Sequence, residues 1–298
     1  MSHEGESRFL DEIFNVELPD ADLYVERVGP ADAPAVYYLH GGPGYSSHSF
    51  RDLMGDELEA YQVVYADQRG GGRSYGQGSA DVQALATDVA AVLSALGLPR
   101  ATLLAHGFGA AVAVQAALDH PERVAGLVLV NPWLSMPLLA RDLYRAAARL
   151  AGVAPEDGDA DEAVVGEPER LADDAFALVN PKALFDALQF PSPAARLRLE
   201  HSDAEALFGP DEEAEPVGVW RVDLLEPVGG VKQPVVVLAG RHDGTAFPAQ
   251  VEAVLARLPQ ALTSLLDAGH YPWLDDPEAF VPLLREALAH AGAGGATA

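Results

Sequence analysis

The stretch LLAHGFGAAVAV at residues 103–114 decides the fold. It begins as a short apolar run of strand length, passes through closely spaced glycines, and continues with small apolar residues typical of a buried helix. A turn that joins a strand to a helix this sharply requires small residues two positions before and two positions after its apex. Ala105 and Gly109 meet that requirement, so the stretch predicts a strand, a tight turn with Gly107 at its apex, and a helix.

The flanking sequence repeats this alternation of strand and helix. Short apolar segments rich in β-branched and aromatic residues occur at 34–40, 61–67 and 124–132, and residues 81–97 carry apolar side chains on one helical face. After an interruption the pattern resumes with a strand at 233–240, followed by helix, strand and helix. Such alternation predicts an α/β fold with a mainly parallel, doubly wound sheet.

The interruption covers residues 133–228. This segment contains helical patterns and acidic stretches but no convincing buried strand. We therefore expect a helical cap at 133–228, inserted into an α/β core that residues 1–132 and 229–298 build together.

The composition limits the classes of function. Of the 298 residues 49% are hydrophobic and none is cysteine, which indicates a globular protein and excludes a thiolate metal site or a cysteine nucleophile. The net charge of −26 argues against nucleic acid or an anionic membrane as partner, because both need a basic surface. The polar N-terminus and the lack of a long apolar run favour a cytoplasmic protein.

No cofactor or metal is expected from the motifs. The sequence has no HExxH pattern and its nine histidines are scattered, while GGGR at 70–73 lacks the spacing of a dinucleotide fingerprint. The sequence leaves the oligomeric state open.

An acid and a histidine follow the last two predicted strands. Asp243 in LAGRHDG comes just after one strand, and His270 in LDAGHYPW follows the next. The order apex, acid, histidine is that of the α/β hydrolases, in which the acid fixes the tautomer of the histidine and stabilises its imidazolium form. Asp267 is a rival acid, but its position three residues before His270 places it on the strand itself.

The loop HGGPGYSS at 40–47 is the most specific signal in the chain. It follows the first predicted buried strand, and its adjacent glycines allow backbone N–H groups to approach a substrate oxygen closely. Together with the N–H of Phe108, the residue after the apex, this loop predicts an oxyanion hole.

HGGPG, DQRGGGRS at 67–74, the elbow and AGH resemble the proline iminopeptidase group of α/β hydrolases. The likeness covers residues 30–135 and 230–290. It implies an α/β-hydrolase fold and removal of N-terminal proline through a Ser-His-Asp triad, with an acidic cap that holds the free amine of the substrate. By this resemblance Gly42 and Phe108 are the oxyanion donors, and Asp243 and His270 are two of the three triad members. In DQRGGGRS the sequence favours a structural role for Asp67 and Arg69, the ordering of a buried turn.

The chain departs from this family pattern in two places. The apex residue is Gly107 where the family carries its serine, and the cap lacks the segment rich in tryptophan and glutamate that the resemblance leads us to expect. The nearest candidate is GVWRVDLLEP at 218–227, which offers Trp220, Asp223 and Glu226 as substrate-binding residues.

The missing serine decides between mechanisms. Loss of such a nucleophile costs on the order of 10⁶ in turnover, and Ser46 and Ser47 lie on the oxyanion side with nothing to place them against His270. Three readings stay open: a non-catalytic binder, which ranks first, a hydrolase that uses water activated by His270, and a Ser-to-Gly form of a working peptidase. A fourth and less favoured possibility is a cofactor-free oxygenase.

The expected ligand is a small molecule or peptide with a free amine. Acidic residues are concentrated at 155–175 and 203–215, in the segment that would cover the site. If some of them point into the pocket, a carboxylate there favours a protonated amine, whereas the commoner outcome for a charge run is a solvated helix face.

Overall fold

Nine strands form one sheet in the described part of the chain, which comprises residues 8–76, 81–153, 167–206 and 218–293 of a computed structural model. The strands are β1 Phe9–Glu17, β2 Ala21–Pro30, β3 Ala35–Leu39, β4 Gln62–Ala66, β5 Tyr75–Gly76, β6 Ala101–His106, β7 Val124–Val130, β8 Val235–Gly240 and β9 Leu262–Leu266. Their order is β1-β2-β4-β3-β6-β7-β8-β9, with β5 paired to β2. All pairings from β4 to β9 along this order are parallel, and those of β1 and β2 are antiparallel. The α/β fold predicted from the sequence is confirmed.

Helices cover both faces of this sheet. They are α1 His48–Met54, α2 Val82–Ala95, α3 Gly109–Asp119, α4 Met136–Ala151, α5 Pro168–Leu178, α6 Pro181–Gln189, α7 Pro193–Glu205, α8 Ala249–Arg257, α9 Pro272–Asp275 and α10 Pro277–Ala293. Within the described ranges, no helix combines the length and the apolar character that crossing a membrane requires.

Strand β6 lies in the middle of the sheet and is buried along its whole length. Its side chains alternate between two apolar clusters: Leu103 packs with residues of α2 and α3, and Leu104 packs with residues of α10. Because helices cover both faces, the side chains of the strand are buried on both sides of the sheet rather than on one. This central position holds the turn after β6 at the carboxyl edge of the sheet, where ligands bind in such folds.

Helices α4 to α7 lie in the segment for which the sequence predicts a cap. Each of the four begins with proline in its first turn, where the missing N–H costs nothing because that group has no helical partner. Between β7 and β8, the described residues show one isolated bridge, Ser135 to Asp223, which ties the start of the segment to its end. Residues 154–166 and 207–217 of this segment lie outside the described residues.

The turn at residues 67–74 is organised by buried charges. Asp67 accepts hydrogen bonds of 2.7 Å from both the N–H and the hydroxyl of Ser47, and it pairs with Arg73 at 2.7 Å. Arg69 donates two hydrogen bonds to Asp88 of α2, at 2.7 and 2.6 Å. These contacts join the turn to the loop at 40–47 and to α2, which is the ordering role that the sequence favours for Asp67 and Arg69.

Candidate active site

The turn after β6 is a sharp elbow with Gly107 at its apex. Gly107 has a φ of +52°, in the left-handed region, and α3 begins two residues later. A side chain at such an apex costs about 1–3 kcal/mol of strain. A Cβ atom at Gly109 would lie 2.4 Å from the carbonyl oxygen of Leu39, so the approach of the elbow to β3 requires glycine there.

His270 and Asp243 form a buried pair beside this elbow. Their side chains are 2% and 0% exposed, and His270 Nδ1 lies 2.7 Å from Asp243 Oδ2. A carboxylate can only accept, so Nδ1 carries the proton and Nε2 presents a lone pair. A Cβ atom built on Gly107 would lie 3.3 Å from His270 Nε2. The basic nitrogen of the pair therefore faces the position where the family carries its serine.

Asn131, just after β7, connects the two chain segments that carry this pair. It has a φ of +45°, and its side-chain amide donates to the carbonyl oxygens of Gly269 and His270 at 3.0 and 2.9 Å. Its Oδ1 accepts from the N–H of Gly240, the last residue of β8, at 2.8 Å. One fully buried amide thus fixes the end of β8 relative to the histidine loop.

His106, the residue before the apex, packs against His270 with ring centroids 4.3 Å apart. Its Nε2 donates to the carbonyl oxygen of His270 at 2.9 Å. Burial, together with neighbouring His270, holds the pKa of His106 well below its ordinary value, so the ring is uncharged.

The loop at 40–47 lies across the elbow. Gly42 has a φ of +111°, and the Cα atom of Gly41 would lie 3.7 Å from a Cβ atom on Gly107. Phe108 buries its ring in the core, while its N–H belongs to the first turn of α3, whose N–H groups have no partner within the helix. Gly42 and Phe108 thus belong to the loop and the elbow that meet at the apex, and their role as oxyanion donors stays a prediction.

A pocket of about 490 Å³ opens above the elbow, with His270, His106 and the two glycines 41 and 42 in its wall. Its other walls come from Pro43 and Tyr45 of the loop at 40–47, from the segment 133–228 and from Tyr271, and many of their side chains are aromatic. Charged side chains of α6 and α7 also line it. The aromatic members are Tyr45, Trp133, Phe176, Phe185, Phe190, Trp220 and Tyr271, and the charged ones are Lys182, Asp186, Arg196 and Asp203.

The three candidate substrate-binding residues separate in the structure. Trp220 lines the pocket, and its ring packs beside that of Phe176 with the ring centroids 6.2 Å apart. Asp223 and Glu226 do not reach it: the carboxylate of Asp223 accepts from a nearby backbone N–H, and the Glu226 side chain is 82% exposed and pairs with Arg257. Their expectation as pocket acids is corrected: both residues are exposed, and their carboxylates have partners outside the pocket.

The alternative nucleophiles, Ser46 and Ser47, and the rival acid, Asp267, form hydrogen bonds with residues other than His270. The Ser47 hydroxyl donates to Asp67, and that of Ser46 accepts from the N–H of His48 at 3.3 Å. Asp267 is 76% exposed and lies 2.8 Å from His242 rather than beside His270.

The acidic runs contribute one residue to the pocket wall within the described chain, Asp203 of α7. The hydroxyl of Tyr45, from the loop at 40–47, donates to its carboxylate. Burial raises the pKa of Asp203 above its ordinary value. In α5, Glu169 pairs instead with Arg221 at 2.5 Å. Residues 155–166 and 207–215 lie outside the described residues.

Sequence reasoning missed several side chains of the site. Trp133 stacks on His270, Thr245 donates to Asp243 at 2.5 Å, and Asn131 holds the histidine loop. Trp133 and Asn131 stand in NPW directly after β7, at the same sheet edge as the elbow, and Thr245 stands two residues after Asp243. Position at strand ends is the signal that could have found them.

Comparison with known proteins agrees with this geometry. The family model described as "alpha/beta hydrolase fold" matches residues 34–277. A protein of Variovorax paradoxus whose name describes it as a carbamate hydrolase, RutD, is 44% identical over 231 residues, which are 74% of this chain and 78% of that protein. The crystal structure of a proline iminopeptidase-related protein from Thermus thermophilus superposes on this chain with a TM-score of 0.81. The two sequences are 38% identical, and the match covers 96% of this chain and 99% of the other. A proline iminopeptidase of Mycobacterium smegmatis, at 21% identity and a TM-score of 0.70, shares the fold. The chain belongs to the α/β-hydrolase superfamily, as a proline iminopeptidase-like member.

Proposed function

We propose that the chain is a hydrolase of small carbonyl compounds in which His270 activates a water molecule in place of a serine. One observation carries the proposal: Nε2 of the buried His270–Asp243 pair faces the apex at Gly107, where no side chain occupies the space. A fully buried carboxylate hydrogen-bonded to a histidine is costly to desolvate. Their retention in bonding geometry supports a chemical role beyond ligand binding.

The reaction follows from these positions. A water molecule between Gly107 and His270 donates to Nε2 and attacks the substrate carbonyl carbon, and its proton passes to His270. The N–H groups of Gly42 and Phe108 stabilise the oxyanion, and Asp243 stabilises the imidazolium. His270 then gives the proton to the leaving nitrogen or oxygen as the bond from that atom to the carbonyl carbon breaks and the carbonyl re-forms. The products are an acid and an amine or alcohol, with one water consumed.

The magnitudes are compatible with slow but real catalysis. General-base catalysis contributes about 10²–10⁴ in rate, and each well-placed oxyanion donor contributes about 10²–10³. We therefore expect turnover far below that of a serine hydrolase but above the rate in water.

The relatives narrow the substrate class. One is named for carbamate and another is related to enzymes named for an N-terminal imino acid, so the compounds concerned have nitrogen on or near the carbonyl. Asp203 in the pocket wall supports a ligand with a protonated amine. We propose amides, carbamates or esters of small amine-bearing acids as substrates.

Replacement of His270 by glutamine should lower the rate about 10²-fold or more, because it removes the base. In the parent, the rate should rise with pH, since only the neutral ring accepts a proton from water. Hydrolysis of p-nitrophenyl acetate and of prolyl p-nitroanilide is followed from pH 5 to 9. His201→Gln, at a histidine that is 84% exposed on α7, is the matched control and should leave the rate unchanged. Equal rates for His270→Gln and the parent would overturn the proposed base.

Removal of the Asp203 charge should abolish a preference for free amines. We expect prolyl-glycine to bind the parent about tenfold more tightly than its N-acetyl form, the effect of one hydrogen bond to a charged group, with a difference that shrinks as salt increases. The preference should also disappear as the pH is lowered and Asp203 takes up a proton. Because burial raises the pKa of Asp203, this loss should begin at a higher pH than for an ordinary aspartate.

Titration calorimetry of the matched peptide pair measures this preference in the parent and in Asp203→Asn. Asp173→Asn removes one charge from the exposed side of α5 and serves as the control. A preference that persists in Asp203→Asn but not in Asp173→Asn would contradict the assignment of Asp203.

Binding without turnover is the second candidate function, and the bare apex at Gly107 favours it. In that case the peptide pair binds as above, while His270→Gln and the parent are equally inactive. The two experiments together therefore separate the two candidates.

A further inference from the structure

Trp133 contacts His270 directly and reaches Asp243 through the hydroxyl of Thr245. It lies two residues after Asn131, is 5% exposed, and its ring stacks on that of His270 with centroids 5.0 Å apart and an interplanar angle of 24°. On its other edge, the indole Nε1 lies 3.2 Å from the hydroxyl oxygen of Thr245. The same oxygen lies 2.5 Å from Asp243 Oδ1.

The direction of these hydrogen bonds is determined by chemistry. An indole N–H can only donate, so the oxygen of Thr245 accepts from Trp133. An ionised carboxylate can only accept, so the Thr245 hydroxyl donates to Asp243 Oδ1, which also accepts from the N–H of Thr245 at 2.9 Å. Asp243 Oδ2 remains for His270. The result is a directed chain of hydrogen bonds from the indole to the imidazole.

We propose that Trp133 is a positioning residue for the His270–Asp243 pair, which it serves by stacking on the imidazole and by directing the Thr245 hydroxyl onto Asp243. Its stacking favours the imidazolium form, since an aromatic face attracts a cation. The hydroxyl of Thr245 has the opposite effect on His270: it shares the negative charge of Asp243, which lowers the attraction of that carboxylate for the protonated ring. The kinetic part of this inference rests on the proposed function, and the titration part does not.

The ionisable groups around His270 come from other positions than Trp133 and Thr245. Asp243 comes from the loop after β8, His106 from the end of β6, and Tyr271 from the histidine loop itself. The charged residues of α6 and α7 line the same pocket at its outer part. None of them is altered in the variants below.

The titration of the His270 ring by NMR tests the proposal, with its resonance assigned by its absence in His270→Gln. Trp133→Leu should move the pH midpoint down by about 0.5–1 unit, the value of a lost aromatic face over a cation. Trp133→Phe retains an aromatic face and should move it less. Thr245→Val should move the midpoint up, and Thr245→Ser should restore the parent value. Circular dichroism verifies that each variant is folded.

The outcomes distinguish a positioning role from a structural one. A Trp133→Leu variant that is folded but less stable, with the midpoint of the parent, would overturn the proposal, as would midpoints of Trp133→Leu and Thr245→Val that move in the same direction. If Trp133→Leu does not fold, the opposite behaviour of Thr245→Val and Thr245→Ser tests the hydroxyl, and Trp133→Phe tests the indole N–H.

Kinetics provide a second readout. Thr245 is not in the pocket wall, so Thr245→Val should lower kcat about tenfold with little change in KM. A rise in KM with kcat unchanged would contradict a role through Asp243. If the parent does not turn over at all, the proposed function fails while the NMR titration still decides the role of Trp133.

Discussion

Gly107→Ser should convert the chain into an enzyme that forms a covalent acyl intermediate. The Cβ atom of the new serine would lie 3.3 Å from His270 Nε2, so its hydroxyl can reach the base. The expected oxyanion donors, Gly42 and Phe108, belong to the loop and the elbow that meet at this position. Because a triad serine accounts for about 10⁶ in turnover in enzymes built around it, we expect a gain of several orders of magnitude over the parent. A fluorophosphonate should label the variant and leave the parent unlabelled.

The same substitution should reduce stability. A φ of +52° is unfavourable for any residue with a side chain, so the free energy of unfolding should fall by about 1–3 kcal/mol. Gly107→Ala bears the same strain without a hydroxyl and should be destabilised equally while it remains unlabelled. Gly107→Ser combined with His270→Ala should lose both labelling and rate gain.

A folded Gly107→Ser that neither labels nor hydrolyses esters or prolyl amides would show that the pair cannot activate a nucleophile at the apex. That result would also weaken the proposal of activated water, which uses the same nitrogen. Efficient cleavage of N-terminal proline by the variant would instead support the reading in which Gly107 replaces the serine of a working peptidase.

Arg69→Met should produce a large loss of stability far from the elbow. Arg69 and Asp88 are 6% and 7% exposed and share two hydrogen bonds, so removal of the guanidinium leaves a buried carboxylate without its main partner. Breaking one side of such a pair costs about 3–5 kcal/mol. Urea denaturation measures the change in the free energy of unfolding.

The double variant Arg69→Met, Asp88→Leu is the control for that result. It removes both charges and fills the space with apolar atoms, so it should regain much of the lost stability. A double variant as unstable as Arg69→Met would indicate that the turn depends on the shape of the arginine rather than on charge compensation.

The parts of the site that depend on local sequence were predictable. Ala105, Gly107 and Gly109 specify the elbow because their small size is required within a few residues of chain, and the adjacent glycines of HGGPG specify the loop beside it. The strand ends of a parallel sheet meet at one edge, which made the proximity of Asp243 and His270 a reasonable expectation, although their distance of 2.7 Å depends on the packing of β8 against β9.

The parts that depend on tertiary contacts were not predictable. Trp133 and Thr245 belong to no motif, and their role depends on a stacking geometry between segments more than a hundred residues apart. Asp223 and Glu226 were expected in the pocket because they follow Trp220, but carboxylates turn to water unless a partner compensates their burial. Asp203 satisfies that condition through Tyr45, a residue far away in the chain.

The end of α6 has a consequence for how ligands enter and leave. Its last carbonyl groups, those of Leu188 and Gln189, accept hydrogen bonds from the N–H of Gly244 at 2.8 Å and from the N–H of His270 at 2.9 Å. Phe185 and Asp186 of the same helix line the pocket. A swing of α6 away from the sheet would break bonds to both segments that carry the pair, so α6 cannot move as a lid without releasing the backbone of these two segments. Exchange of these two amide protons with solvent deuterium would report how often α6 moves away.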